Sequence, residues 1–127
     1  MNEGLVISFD LDGTAWKYRR EFSALAHILK SSGHKVGILT AHNENLMEAD
    51  IRLWKARGFP DADFYICRSS AYRENRYASM GTGRWKSEML LEHNIDIHFE
   101  DFDDGKYEDE FNAFAYLCQH AKTIRIK

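Results

Sequence analysis

The chain has 127 residues, 44% of them apolar, and a formal charge of −3 at pH 7. That length suits a single domain, residues 1–127, with a real core, while the apolar content and the lone proline, Pro60, exclude a disordered chain. The charge gives no global reason to bind nucleic acid or an anionic membrane, and no stretch reads as a membrane span or a secretory leader, so a cytoplasmic protein with Cys67 and Cys118 as free thiols is expected.

In chain order, GLVISF (4–9) is a run of strand formers ending at Asp10. Phe22, Leu25, Ala26 and Leu29 then fall on one face of a helix that Gly33 closes. KVGILT (35–40) is a second buried-type strand. Met47, Asp50, Ile51 and Trp54 follow helical spacing, with Gly58 just beyond. DFYIC (63–67) reads as a third strand and RWKSEMLLEH (84–93) as a helix with Lys86 in its first turn. IDIHFED (95–101) is a fourth strand, Phe111, Phe114, Ala115 and Cys118 a last helical stripe, and TIRIK (123–127) a fifth strand. Strands alternating with helices predict an α/β fold: a three-layer α/β/α sandwich on a mainly parallel, five-stranded, Rossmann-like sheet. In such sheets functional residues gather at the carboxyl ends of the strands. Asp10, Thr40, Glu100 and Asp101 end strands, and Lys86 opens a helix, so all can reach one edge.

Asp10-Leu11-Asp12-Gly13-Thr14 admits simpler readings. As a hairpin turn it would leave Asp10 without a partner in an apolar strand. As a calcium loop it places Asp10, Asp12, Thr14 and Glu21 in register, but Ala15 stands where glycine is needed and a strand precedes it. As a receiver domain it has its acidic residues in the wrong order. The sequence of Asp-x-Asp-Gly-Thr, strand-end Thr40, helix Lys86 and strand-end acids resembles the haloacid dehalogenase superfamily of phosphatases and phosphotransferases, across essentially the whole chain.

The resemblance implies a Mg²⁺-dependent phosphomonoester hydrolase working through an aspartyl-phosphate. Asp10 would be the nucleophile, Asp12 the acid/base, Thr40 and Lys86 the catalytic phosphate contacts. Gly13, Thr14, Ala41 and Arg84 would bind substrate. The metal would lie on Asp10, the Asp12 carbonyl and the acids of FEDFDDG, with Asp101 favoured and Glu100 and Asp104 in support. There is no room for a cap domain, which implies an open site and a large substrate. The stretch from Arg68 to Lys86 holds four arginines and one lysine against Glu74, interleaved with Tyr72, Tyr77 and Trp85. That composition suits either a solvated loop or a nucleic-acid end, such as a polynucleotide 3'-phosphate. A non-catalytic phosphate-binding module and a phosphotransferase are the alternatives. Trp54 is expected in the core, Trp16 is placed to line the entrance, and His42 follows Thr40 closely enough to touch a ligand. The remaining histidines lack zinc-ligand spacing.

Overall fold

The computed structural model describes residues 4–68, 81–101 and 117–126. Strands β1 (Val6–Phe9), β2 (Lys35–Leu39), β3 (Tyr65–Ile66), β4 (Ile97–Glu100) and β5 (Lys122–Arg125) form one sheet in the order β3-β2-β1-β4-β5. Every pairing is parallel. The chain winds outward from β1 through β2 to β3, then returns to the other side of β1 with β4. The crevice at the carboxyl ends of β1 and β4 is therefore the topological switch point, where open α/β sheets bind their ligands.

Alternation along the strands gives each face its own core. Ile7, Phe9, Val36 and Ile38 point toward α1 (Arg19–Ser31) and α2 (Met47–Ala56), where they meet Phe22, Ala26, Trp54 and Phe59. Phe9 stacks on Phe99 at 4.8 Å, and Phe22 meets both rings edge-on. Trp54 is fully buried as expected, stacks on Phe59 at 3.9 Å and donates its indole N–H to the Pro60 carbonyl. Helix α1 stops at Gly33, whose φ of 93° lets the Gly33 and His34 amides turn back onto the Lys30 and Leu29 carbonyls.

The opposite face carries Leu39, Ile66, Trp85, Met89, Leu90, Ile95 and Leu117, with α3 (Thr82–Glu92) laid across it. Helix α3 starts two residues before the expected Arg84, so Lys86 stands in its second turn rather than its first. Strand β3 is shorter than 63–67 because Asp63 turns its carboxylate to cap the Val36 amide at 2.8 Å. Strand β4 likewise begins after Asp96, whose side chain takes the Val6 amide. Phe111, Phe114 and Ala115 lie outside the described residues; Cys118 is exposed and Leu117 is the buried position beside it. Among the described residues no helix is long and apolar enough to cross a membrane.

Candidate functional site at the switch point

Asp10 follows β1 directly, and its amide still pairs with the Phe99 carbonyl at 3.0 Å. The chain then closes a tight loop in which the Ala15 and Trp16 amides reach the Asp10 and Leu11 carbonyls. Gly13 sits at φ 77°, and a Cβ there would overlap the Asp101 carboxylate, so only glycine lets this loop and the end of β4 close on each other. Ser8 and Asp10 face the α3 side, as do their neighbours His98 and Glu100 on β4.

A continuous polar chain results. The Lys86 ammonium donates to Asp10 Oδ1 at 2.9 Å and to Glu100 Oε1 at 2.6 Å. His98 Nε2 lies 3.0 Å from the same Glu100 oxygen, and His98 Nδ1 lies 2.7 Å from the Ser8 hydroxyl. Ser8, Asp10, Lys86, His98 and Glu100 are all buried. Burial opposes ionisation of Glu100, but Lys86 and the bond to His98 outweigh it and hold the carboxyl near 2. Burial also works against the Lys86 charge, and Asp10 with Glu100 still keeps its pKa above that of a free lysine. Asp10 is different: burial prevails over Lys86 and pushes it to about 6. The two outcomes differ because Lys86 has two carboxylates beside it, whereas Asp10 faces the Glu100 carboxylate as well as the ammonium.

Asp101 is half-buried beside Asp10 and is raised to about 6 by burial and by that neighbour. Thr14 donates to Asp101 Oδ1 at 3.2 Å and reaches Asp10 Oδ2 at 3.5 Å. Three carboxylates, those of Asp10, Glu100 and Asp101, offer oxygens within 4.8 Å of one another. Against them stands the Lys86 ammonium, leaving Asp10 and Asp101 short of positive charge. A hard divalent ion such as Mg²⁺, which prefers carboxylate oxygen, fits this donor set. Asp10 and Asp101 would hold it. Glu100 has Oε1 committed to Lys86 and His98 and serves first as the buried counter-ion of the lysine.

The remaining expected positions divide. Thr40, buried at the end of β2, accepts the His42 amide at 3.2 Å. Thr14 directs its hydroxyl to the carboxylates rather than outward. Ala41 packs against the core on the α3 side, and Arg84 is exposed on α3. Asp104 lies outside the described residues, as do Tyr72, Arg73, Arg76 and Tyr77. Trp16 does not line an opening: it packs on Trp54 and Phe59 beneath the Arg57 guanidinium. Asp12 is exposed and turns its carboxylate to His42 Nε2 at 2.7 Å.

His42 stands out in the sequence, but two groups of contacts, its own and those of Ser8, do not. His42 Nδ1 lies 2.8 Å from Asp50, to which the Tyr65 hydroxyl donates at 2.6 Å. Burial lowers the His42 pKa, but the bonds to Asp50 and Asp12 reverse this and raise it. Ser8 and His98 are the second group, brought together by the β1–β4 register. His98 and Glu100, two apart on one strand, necessarily share a face, which was the available signal. In addition, the buried Trp85 indole N–H has no partner among the described residues, and the Arg68 guanidinium lies 5.7 Å over its ring.

No family model and no curated protein matches the chain. Among solved structures it matches a universal stress protein in complex with cAMP, at 14% identity and a TM-score of 0.56, over 99% of this chain and 100% of that one. This likeness shows the Rossmann-like α/β fold. It corrects the family expectation: the resemblance to the haloacid dehalogenase superfamily finds no matching family model, and the fold matched is that of a universal stress protein. The Mg²⁺-dependent phosphatase, its hydrolase class, the aspartyl-phosphate on Asp10 and the phosphotransferase alternative rested on that resemblance and are withdrawn with it. The physical reason is that open α/β sheets gather functional side chains at the carboxyl ends of their strands whatever the chemistry, so such a cluster does not by itself name a reaction.

Proposed function

We propose that the chain is a binding domain for a small phosphorylated ligand of nucleotide type, held at the carboxyl edge of β1, β2 and β4. The observation that carries this reading is the buried Lys86–Asp10–Glu100 cluster with Asp101 at the switch point. It combines a fixed ammonium with two under-neutralised carboxylates, an arrangement suited to a phosphate accompanied by a divalent cation. Thr40 at the end of β2 and the exposed Arg84 on α3 are the contacts proposed for the phosphate. Mg²⁺ is the proposed cation, on Asp10 and Asp101, where it would neutralise charge between protein and ligand. The universal stress protein of the same fold, solved with cAMP, supports a nucleotide as the ligand class. The free thiols of Cys67 and Cys118 accord with a reducing, cytoplasmic setting.

The test is calorimetric titration of the chain with cAMP, AMP and ATP, each with Mg²⁺ and with EDTA. The reading expects at least one to bind, and to bind at least tenfold more weakly in Asp10→Asn. Binding of none of the three, or binding indifferent to both Mg²⁺ and Asp10, overturns it.

A further inference from the structure

The His42 ring has a carboxylate oxygen at each nitrogen, Asp50 Oδ2 at 2.8 Å and Asp12 Oδ2 at 2.7 Å. A neutral imidazole has one N–H, so it satisfies one of these contacts and not both. The cluster therefore carries one proton beyond a neutral ring and two carboxylates, and the ring behaves as a cation held between two anions. Its two anchors are not alike. The Asp50 side chain is 10% exposed and further fixed by the Tyr65 hydroxyl, whereas the Asp12 side chain is 69% exposed. Asp50 sets the orientation of the ring. Asp12 meets a donor that is already aimed.

Asp12 belongs to the loop that runs from Asp10 to Thr14 above the carboxylate cluster, and His42 follows Thr40 at the end of β2. His42 Nε2–H is thus directed at a residue two positions beyond Asp10, beside the proposed ligand site. An exposed carboxylate bond of this kind contributes little to stability and is released at small cost. A phosphate offers more negative charge and more acceptor oxygens to the same N–H.

Resting on the binding function proposed above, we infer that His42 is a ligand-recognition residue whose Nε2–H donates to an anionic oxygen of the phosphorylated ligand, and that the Asp12 carboxylate occupies this position until the ligand displaces it. Asp12 is then an internal competitor. Removing it strengthens binding, the opposite of what a direct ligand contact or a structural residue would do.

The experiment titrates wild type, Asp12→Ala, His42→Asn and Asp10→Asn with AMP in Mg²⁺, with inorganic phosphate as a second probe and adenosine as the phosphate-free control. Asp12→Ala is expected to bind AMP and phosphate about three- to tenfold more tightly. His42→Asn is expected to bind both about tenfold or more weakly, the loss typical of one charged hydrogen bond. Adenosine binding should be the same in wild type, Asp12→Ala and His42→Asn. If wild type binds AMP in an Asp10-dependent way but Asp12→Ala binds no better, or His42→Asn weakens adenosine as much as AMP, the inference fails and the binding reading stands. If wild type binds neither AMP nor phosphate, the inference fails, and the binding reading falls with it when cAMP and ATP do not bind either.

Discussion

Lys86→Met keeps the length and shape of the side chain and deletes its charge. The Lys86 side chain is 4% exposed, and its ammonium lies 2.9 Å from Asp10 and 2.6 Å from Glu100. Removing one partner of such a buried arrangement typically costs about 3–5 kcal/mol, because the opposite charges remain desolvated and unpaired. The individual groups give a compatible figure. Glu100 is lowered from 4.5 to about 2, a shift corresponding to about 3 kcal/mol at ~1.4 kcal/mol per unit. That contribution is present above pH 4.5 and is lost as the pH falls through about 2. Asp10 has the opposite sign: its rise from 3.8 to about 6 means that ionising it in the folded protein is a cost, absent below 3.8 and complete above 6. In the wild type the two nearly offset at neutral pH. Without Lys86 the Glu100 contribution vanishes and the Asp10 cost grows, so a loss of about 4 kcal/mol at pH 7.5 is expected, shrinking toward pH 4.5 as both carboxyls take up protons. With a urea slope of roughly 2 kcal/mol/M, the unfolding midpoint should fall by about 2 M at pH 7.5. Adding Glu100→Gln to Lys86→Met should recover at least about 1 kcal/mol, since it removes a stranded charge. A midpoint shift below about 0.5 M, or a loss that grows as the pH falls, would refute the reasoning.

Gly13→Ala forces a side chain into the Asp101 carboxylate at φ 77°; it should destabilise the fold by about 1–2 kcal/mol from the left-handed backbone alone and weaken Mg²⁺ binding by displacing Asp101, both readable by thermal unfolding with and without the ion. Ser8→Ala leaves the fully buried His98 Nδ1 without its 2.7 Å partner and should cost about 1–3 kcal/mol in urea unfolding. Because Asp10 and Asp101 are both raised to about 6, the ion-free protein is penalised as the pH rises through that value, and the cation must compete with protons below it. Mg²⁺ should therefore raise the melting temperature more at pH 7.5 than at pH 5, with protons released on binding; equal shifts at the two values would contradict the carboxylate site.

The architecture was legible because the signals were local. Apolar runs marked β1, β2 and β4, the Phe22–Leu29 stripe marked α1, and alternation forced a parallel sheet. The errors at element ends also have local causes: Asp63 and Asp96 look like strand residues in sequence but leave the strand to cap the amides of Val36 and Val6. The meeting of Asp10, Lys86, Glu100 and Asp101 was legible from their places at strand ends and in a helix. The functional reading drawn from their order did not hold, since a cluster at the carboxyl ends of the strands is common to folds of many functions. The His42–Asp50 contact spans eight residues across a short helical turn, a spacing with no periodic signature. The Ser8–His98 contact spans ninety residues and depends on the β1–β4 register, which alternation alone does not set.

The switch-point cluster is proposed to bind a phosphorylated ligand together with a divalent cation. The decisive experiment is calorimetric titration of cAMP, AMP and ATP into wild type in Mg²⁺, in EDTA, and into Asp10→Asn in Mg²⁺. At least one nucleotide should give a saturable isotherm with wild type in Mg²⁺, weakened at least tenfold both by EDTA and by the substitution. A wild-type isotherm that EDTA and Asp10→Asn leave unchanged would contradict it, as would the absence of any binding.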